Sequence, residues 1–277
     1  MSPSATQYLA QLPDGFERAI VYGDGLFETV LIVDGTPPLW HYHKQRLQAS
    51  LLRLGIKADT TAIEQQVFCL ATQIQNALLR IVVARSGGQR GYDPRSVSGC
   101  VFTIDNFALP AYTKTLLESG VALHLCRYVL PRNPVLAGIK HINRLDQVMA
   151  ASEWNRQCEQ EGLLLDDTGA VIEGTMSNVF IITNGMLQTP LLNYCGVAGV
   201  MRDYIINTLA PELSLAVTVR RLTLNDILAS DECFLCNSVF GIWPVSKIGV
   251  ASLNGHSVVT QKIIQAVLAK GYGRLYA

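Results

Sequence analysis

Apolar residues recur along this chain at two spacings, and the switch between them marks out its elements. In HYHKQRLQASLLRLG, Leu47, Leu51 and Leu54 fall three and four apart, which predicts a helix with one apolar face, stopped at Gly55. A second helix is predicted around residues 60–77. ERAIVYGDGLFETVLIVDGTPPLW reads as strand, Gly-bearing turn and strand, then a hairpin turn at Asp34-Gly35. LLRIVVARSGG and GCVFTIDNFALP add two more strands, and residues 107–118 read as the joint between two halves.

The second half opens on the strand GVALHLCRYVL and a loop with Pro131 and Pro134. After Lys140, the residues Ile142, Leu145, Met149 and Trp154 fall at helical spacing. They predict a helix to about Gly162 that packs beneath the lysine and aims it. EGLLLDDTGAVIEGTMSNVFIITNGMLQTP reads as a strand meander with turns at Thr168-Gly169 and Asn184-Gly185. GVAGVMRDYIINTLAPEL is a Gly-rich loop opening a helix. DECFLCNSVFGIWPVSKIGV is strand, small polar turn and strand, and a helix near residues 257–271 closes the chain. The mixture is α+β.

Composition narrows the function. Of 277 residues, 49% are hydrophobic and only 16% charged, with mean hydropathy +0.24, so some apolar surface is expected to be covered by a partner subunit. Lys+Arg and Asp+Glu both number 22, so nothing electrostatic argues for nucleic acid or an anionic membrane. The start, MSPSATQYLAQLPDG, lacks the pattern of a signal peptide, and no apolar run is long enough to span a bilayer. Seven scattered cysteines fit reduced thiols in a cytoplasmic protein. Cys233 and Cys236 form a CxxC pair, but in a strand residues three apart face opposite sides, which argues against a metal or redox role.

Against this background a few polar residues stand out. Lys140, in LAGIKHINRLDQVMAA, places an amine at the mouth of an apolar segment. Glu173 ends an apolar strand just before Gly174 and a run of small polar residues; it points either into a site or into a surface turn. Gly196 and Gly199 precede a helix start, where the amides of Val200 and Met201 lack intrahelical partners and suit a phosphate. Ser238 adds a hydroxyl at a small polar turn, or simply caps it. Arg46 leans from the edge of the Leu47 face toward a cleft, or else toward solvent. Arg85, Arg90 and Tyr92 surround the Gly87-Gly88 turn and offer a clamp for carboxylates, unless the loop is merely basic. A lysine, a carboxylate and a phosphate cradle are the parts a pyridoxal-phosphate enzyme requires.

The motifs YGDGLFET, HKQRL, RSGGQRGY, GIKHINRLDQVMA, EGTMSNVF, GVMRD and CNSVFGIWPV stand in one order from about residue 20 onward. In that order the chain resembles the fold type IV, branched-chain-aminotransferase-like family of pyridoxal-phosphate enzymes. The resemblance implies a two-domain fold of the D-amino-acid-aminotransferase type, α+β with an α/β flavour. A small α+β domain (residues 1–110) and a linker (111–118) would precede a larger domain (119–277) with a barrel-like sheet flanked by helices. It implies that Lys140 carries pyridoxal 5′-phosphate and Glu173 pairs with its ring nitrogen. Arg46, Ser238 and the Val200 and Met201 amides would hold the phosphate, with Asn178 and Arg144 beside the ring. Thr29 would assist proton transfer, and Arg90 and Tyr92 would face substrate carboxylates.

KHINRL points to the lyase branch, because branched-chain enzymes carry a Gly-Asn-Tyr pattern after the lysine; the rival is an aminotransferase. A non-catalytic binding protein is the third reading, and the presence of both Lys140 and Glu173 argues against it. A homodimer acting on a small molecule is expected. One departure is the start, MSPSATQYLAQLPDGFERA, where relatives have a short strand and an Asn-Gly turn.

Overall fold

The computed structural model describes residues 14–276 apart from 88–90, 96, 98, 156 and 254–257. The first described element corrects the sequence reading: Glu17–Tyr22 is a helix, α1, where a strand was expected. Gly23 ends it in the left-handed region (φ 65°), and its amide reaches back to the Ala19 carbonyl at 2.9 Å. The β-branched pair Ile20 and Val21, which suggested a strand, is exposed, whereas Arg18 and Ala19 face inward.

Next come β1 (Gly25–Ile32), α2 (Trp40–Leu54), α3 (Thr60–Ile74), β2 (Ala77–Ser86) and β3 (Gly99–Phe107). The strands form an antiparallel sheet in the order β1-β2-β3. Asp34 and Gly35 do make a left-handed turn, but it joins only Val33 to Thr36, and β1 pairs along its length with β2. The apolar face of α2, with Leu47 and Leu51, packs with Ile63 and Val67 of α3 onto Val30, Leu79 and Ile81. Gly55 stops α2 in the left-handed region, as its position predicts.

After the short α4 (Thr115–Glu118) and β4 (Val121–Leu130) comes α5 (Leu145–Ala151). Then follow β5 (Glu161–Asp166), β6 (Ala170–Gly174), β7 (Asn178–Thr183) and β8 (Met186–Pro190). Helix α6 (Val200–Tyr204) continues through a π-helical turn (Ile205–Leu209) to Glu212. The chain continues with β9 (Val217–Arg220), β10 (Leu222–Thr223), α7 (Leu224–Leu228), β11 (Glu232–Asn237), β12 (Gly241–Ile248), β13 (Ala251–Ser252) and α8 (Val258–Leu268). Ten strands form one sheet in the order β10-β6-β5-β4-β12-β11-β7-β8-β9, with β13 on β12. Its two edges, β9 and β10, are separated by one residue in the chain, so the sheet curls back on itself into a barrel-like form.

Strand β11 shows why that sheet reads as an apolar run. Cys233 and Leu235 face the barrel interior with Val121, Leu163 and Trp243, while Phe234 and Cys236 face the outer layer with Met201, Ile264 and Val267. The two cysteines therefore point to opposite faces, and burial pushes the Cys233 thiol up to about 12. Among the described residues, no group of side chains could hold a metal ion, and no helix is long and apolar enough to cross a membrane.

Candidate active site

Lys140 is aimed by backbone pairing, which corrects the expectation of a supporting helix to Gly162. Helix α5 spans only Leu145–Ala151, and Leu145, Val148 and Met149 are 76%, 59% and 54% exposed. The lysine segment is instead laid between two partners. The Phe27 amide donates to the Lys140 carbonyl at 3.1 Å and the Ile142 amide to Gly25 at 3.1 Å. On the other side, Gly138 donates to Gly196 at 2.8 Å and accepts from Ala198 at 3.1 Å. Ile142 does pack, but against Phe16, Ala19 and Ala84. Trp154 lies beyond the helix, stacked on His124 with ring centroids 5.6 Å apart.

The side chain of Lys140 opens into a cavity of about 540 Å³ between the two sheets. Thr29, Arg46, Arg144, Glu173, Asn178, Val200 and Ser238 line the same cavity. Burial, together with the positive charge of Arg46, lowers the Lys140 amine to about 7. Glu173, at the end of β6, is buried, and desolvation raises its carboxyl to about 7 although the Val197 amide donates to its Oε2 at 2.7 Å. The side-chain amide of Gln147 reaches Glu173 Oε1 at 3.4 Å. An amine and a carboxyl that both titrate near neutrality in one cavity can each change protonation state during a reaction.

The loop before α6 is built for close approach. A Cβ on Gly199 would lie 1.9 Å from Asn178 Oδ1, so only glycine lets the chain pass, and Asn178 Nδ2 donates to the Val197 carbonyl at 2.9 Å. Val200 faces the cavity, whereas the Met201 side chain is fully buried in the core and only its amide is oriented toward the helix start. At the turn after β11, Asn237 Oδ1 accepts from the Val239 and Phe240 amides, which presents Ser238 to the cavity. The Ser238 hydroxyl donates to the Thr29 carbonyl at 3.1 Å, tying the small sheet to the large one. Arg144 donates from Nε to the His141 carbonyl at 2.9 Å, and burial lowers its proton affinity.

Of the two expected substrate contacts, only Tyr92 can be placed. Arg90 falls outside the described residues. Tyr92 is 83% exposed, with its ring 5.1 Å from that of Tyr22, and does not line the cavity. Arg85, raised as a third clamp residue, is buried in a pair with Asp24 at 3.0 Å. Arg80 of β2 lines the cavity instead, with its guanidinium 4.7 Å from the centre of the Phe107 ring.

Sequence reading also missed the groups behind the lining. Glu28 of β1 is a buried carboxylate bound by Arg46 and His43 of α2. Burial raises its proton affinity, but the charge of Arg46 and the hydrogen bonds from His43 and Arg46 outweigh this and hold it at about 2. Glu161 of β5, also fully buried, accepts from the amides of Gly162, Thr175 and Met176 and from the hydroxyls of Thr175 and Ser177. It thereby shapes the loop after Glu173. The signal for Glu28 was present: it is the only ionisable residue in the apolar strand GLFETVLI.

Comparison with known proteins identifies the family. A family model described as amino-transferase class IV matches residues 25–248. The chain is 37% identical over 233 residues to an aminodeoxychorismate lyase of Vibrio harveyi, covering 84% of this chain and 86% of that one. It is 34% identical over 255 residues to a putative branched-chain-amino-acid aminotransferase of Methanocaldococcus jannaschii, covering 90% and 87%. The crystal structure of 4-amino-4-deoxychorismate lyase from Pseudomonas aeruginosa superposes with a TM-score of 0.87 at 37% identity, covering 91% and 93%. With the family model spanning most of its length, this chain belongs to the amino-transferase class IV family.

Proposed function

We propose that this chain is a pyridoxal-phosphate-dependent lyase that converts 4-amino-4-deoxychorismate to 4-aminobenzoate and pyruvate. The observation that carries the reading is the pairing of Lys140 and Glu173, both poised near neutrality, in one cavity of about 540 Å³. The residues present fit the cofactor. Lys140 supplies an amine for covalent attachment, Glu173 a carboxyl for the ring nitrogen, and Arg46, Ser238 and the α6 amides a cradle for the phosphate. Gly199, where a Cβ would strike Asn178, keeps the backbone close enough to serve that cradle. When bound, the cofactor supplies an electron sink for charge left on the carbon bearing the substrate's nitrogen.

The protein's own work is proton handling and placement. The Lys140 amine, whose proton affinity burial and Arg46 reduce, would take the proton from that carbon. Departure of the enolpyruvyl group as pyruvate leaves an aromatic ring, which makes the step strongly downhill. Lys140, assisted by the Thr29 hydroxyl across the cavity, returns a proton to the leaving group, so the reaction needs no second substrate. Arg144 and Arg80 supply cationic walls for the substrate's carboxylates. The linker between the two domains contributes Tyr112 to the same cavity.

A branched-chain or D-amino-acid aminotransferase is the second reading, favoured by the 34% identity to the Methanocaldococcus jannaschii protein. Both use a lysine to move a proton, but an aminotransferase requires a keto-acid acceptor. Pyruvate and 4-aminobenzoate release without acceptor decides for the lyase. We further propose a cytoplasmic homodimer, supported by seven unpaired thiols and by the exposed apolar residues of α5 beside the site.

A further inference from the structure

We propose that Glu28 and His43 are positioning residues for Arg46, fixing its guanidinium so that its unspent N–H groups form a fork for the cofactor's phosphate. The inference rests on the cofactor reading above. A guanidinium has five N–H donors. Arg46 Nε donates to Glu28 Oε1 at 2.8 Å, Nη2 donates to Glu28 Oε2, and Nη1 donates to the Ala198 carbonyl at 2.9 Å. One N–H remains on each terminal nitrogen, and the side chain lines the cavity. Two unspent N–H groups on one guanidinium are the donors that bidentate phosphate binding draws on.

The carboxylate is itself held from a second side. His43 Nδ1 lies 2.7 Å from Glu28 Oε2. Because Glu28 is ionised it can only accept, so the ring nitrogen must donate. Burial lowers the proton affinity of His43, which leaves one ring proton and fixes the tautomer. His43 and Arg46 are three residues apart on one face of α2, so both reach the same carboxylate on β1. All three side chains are buried, leaving the group little freedom to rearrange.

Two simpler roles account for this less well. A buried ion pair is weak evidence for stability, since desolvation offsets its attraction. As an anion attractor, Arg46 would do better without a carboxylate cancelling its charge. What Glu28 adds is direction: it holds one edge of the guanidinium, and Ala198 ties that side chain to the loop that opens α6.

The test uses cofactor-free protein titrated with pyridoxal phosphate and with phosphate-free pyridoxal, followed by intrinsic tryptophan fluorescence. Wild type is expected to prefer the phosphorylated ligand. Glu28→Gln and His43→Phe are expected to weaken pyridoxal phosphate by about tenfold or more, as loss of a charge-assisted fork implies, and to leave pyridoxal unchanged. His43→Asn, whose amide can donate from the place of Nδ1, should restore most of the preference. Unchanged or tighter phosphate-ligand binding in Glu28→Gln overturns the proposal, because charge alone would then govern Arg46. Equal weakening of both ligands overturns it too, since that marks general damage. Wild type that binds neither ligand would overturn the cofactor reading along with it, whereas a wild-type preference that survives Glu28→Gln defeats this inference alone.

Discussion

The amine of Lys140 lies 4.1 Å from the centre of the Phe27 ring, on the strand whose backbone also accepts its segment. The ring face favours a charged amine, by about 0.5–2 kcal/mol in general. Burial and Arg46 act the other way and dominate, so the amine ends near 7 rather than at 10.5. One residue thus holds the lysine in place without keeping it protonated.

That balance sets a pH signature for Lys140→Met. A lysine lowered on folding lends stability above its unfolded value near 10.5 that is lost as pH falls toward 7, because the unfolded chain keeps the proton. Lys140→Met removes the penalty. The cofactor-free variant should therefore gain roughly 4 kcal/mol more over wild type at pH 7 than at pH 10. Denaturant titrations at the two pH values check this. Turnover in the same variant should fall by about a hundredfold at least, as loss of a general base implies.

Glu173 runs in the opposite direction. A carboxyl raised on folding from 4.5 to about 7 gives stability that is present below pH 4.5 and lost as pH rises through 7. Glu173→Gln should stabilise cofactor-free protein by about 3 kcal/mol at pH 8 and hardly at all at pH 4. The difference in melting temperature between variant and wild type, read at each pH, measures it.

Gly199→Ala tests the cradle through packing alone, because the glycine is not in the left-handed region (φ −70°). The added methyl would meet Asn178 Oδ1 at 1.9 Å. A loss of about 1–3 kcal/mol is expected from overpacking, together with weaker cofactor binding. Combining it with Asn178→Ala should recover part of the stability, and a double-mutant cycle reports the coupling.

The exposed face of α5 predicts an assembly effect. If Leu145, Val148 and Met149 are covered in the proposed homodimer, Leu145→Glu with Met149→Glu should yield a monomer by light scattering at micromolar concentration. A dimer of unchanged mass would place the interface elsewhere.

Much of the site was legible because its chemistry is local. Lys140, Glu173 and Ser238 each stand where an apolar run gives way to polar residues, and the structure brings all three to one cavity. Helical spacing misled after Lys140: of Ile142, Leu145, Met149 and Trp154, only Leu145 and Met149 lie on the helix, on its exposed face, and the helix stops at Ala151. ERAIVY misled through β-branched residues that sit on the outer face of a helix closed by Gly23. Glu28 stood out as the one ionisable residue of its strand, but its pairing with His43 and Arg46 was out of reach because a strand and a helix meet there across 15 to 18 residues. Tyr92, in the motif RSGGQRGY, is exposed and does not line the cavity.

The most direct test incubates purified protein loaded with pyridoxal phosphate with 4-amino-4-deoxychorismate and no keto acid, and measures pyruvate and 4-aminobenzoate together. The account predicts equal amounts of both products from wild type and neither above background from Lys140→Ala. Product formation that requires 2-oxoglutarate or pyruvate as acceptor would contradict it and assign the site to an aminotransferase.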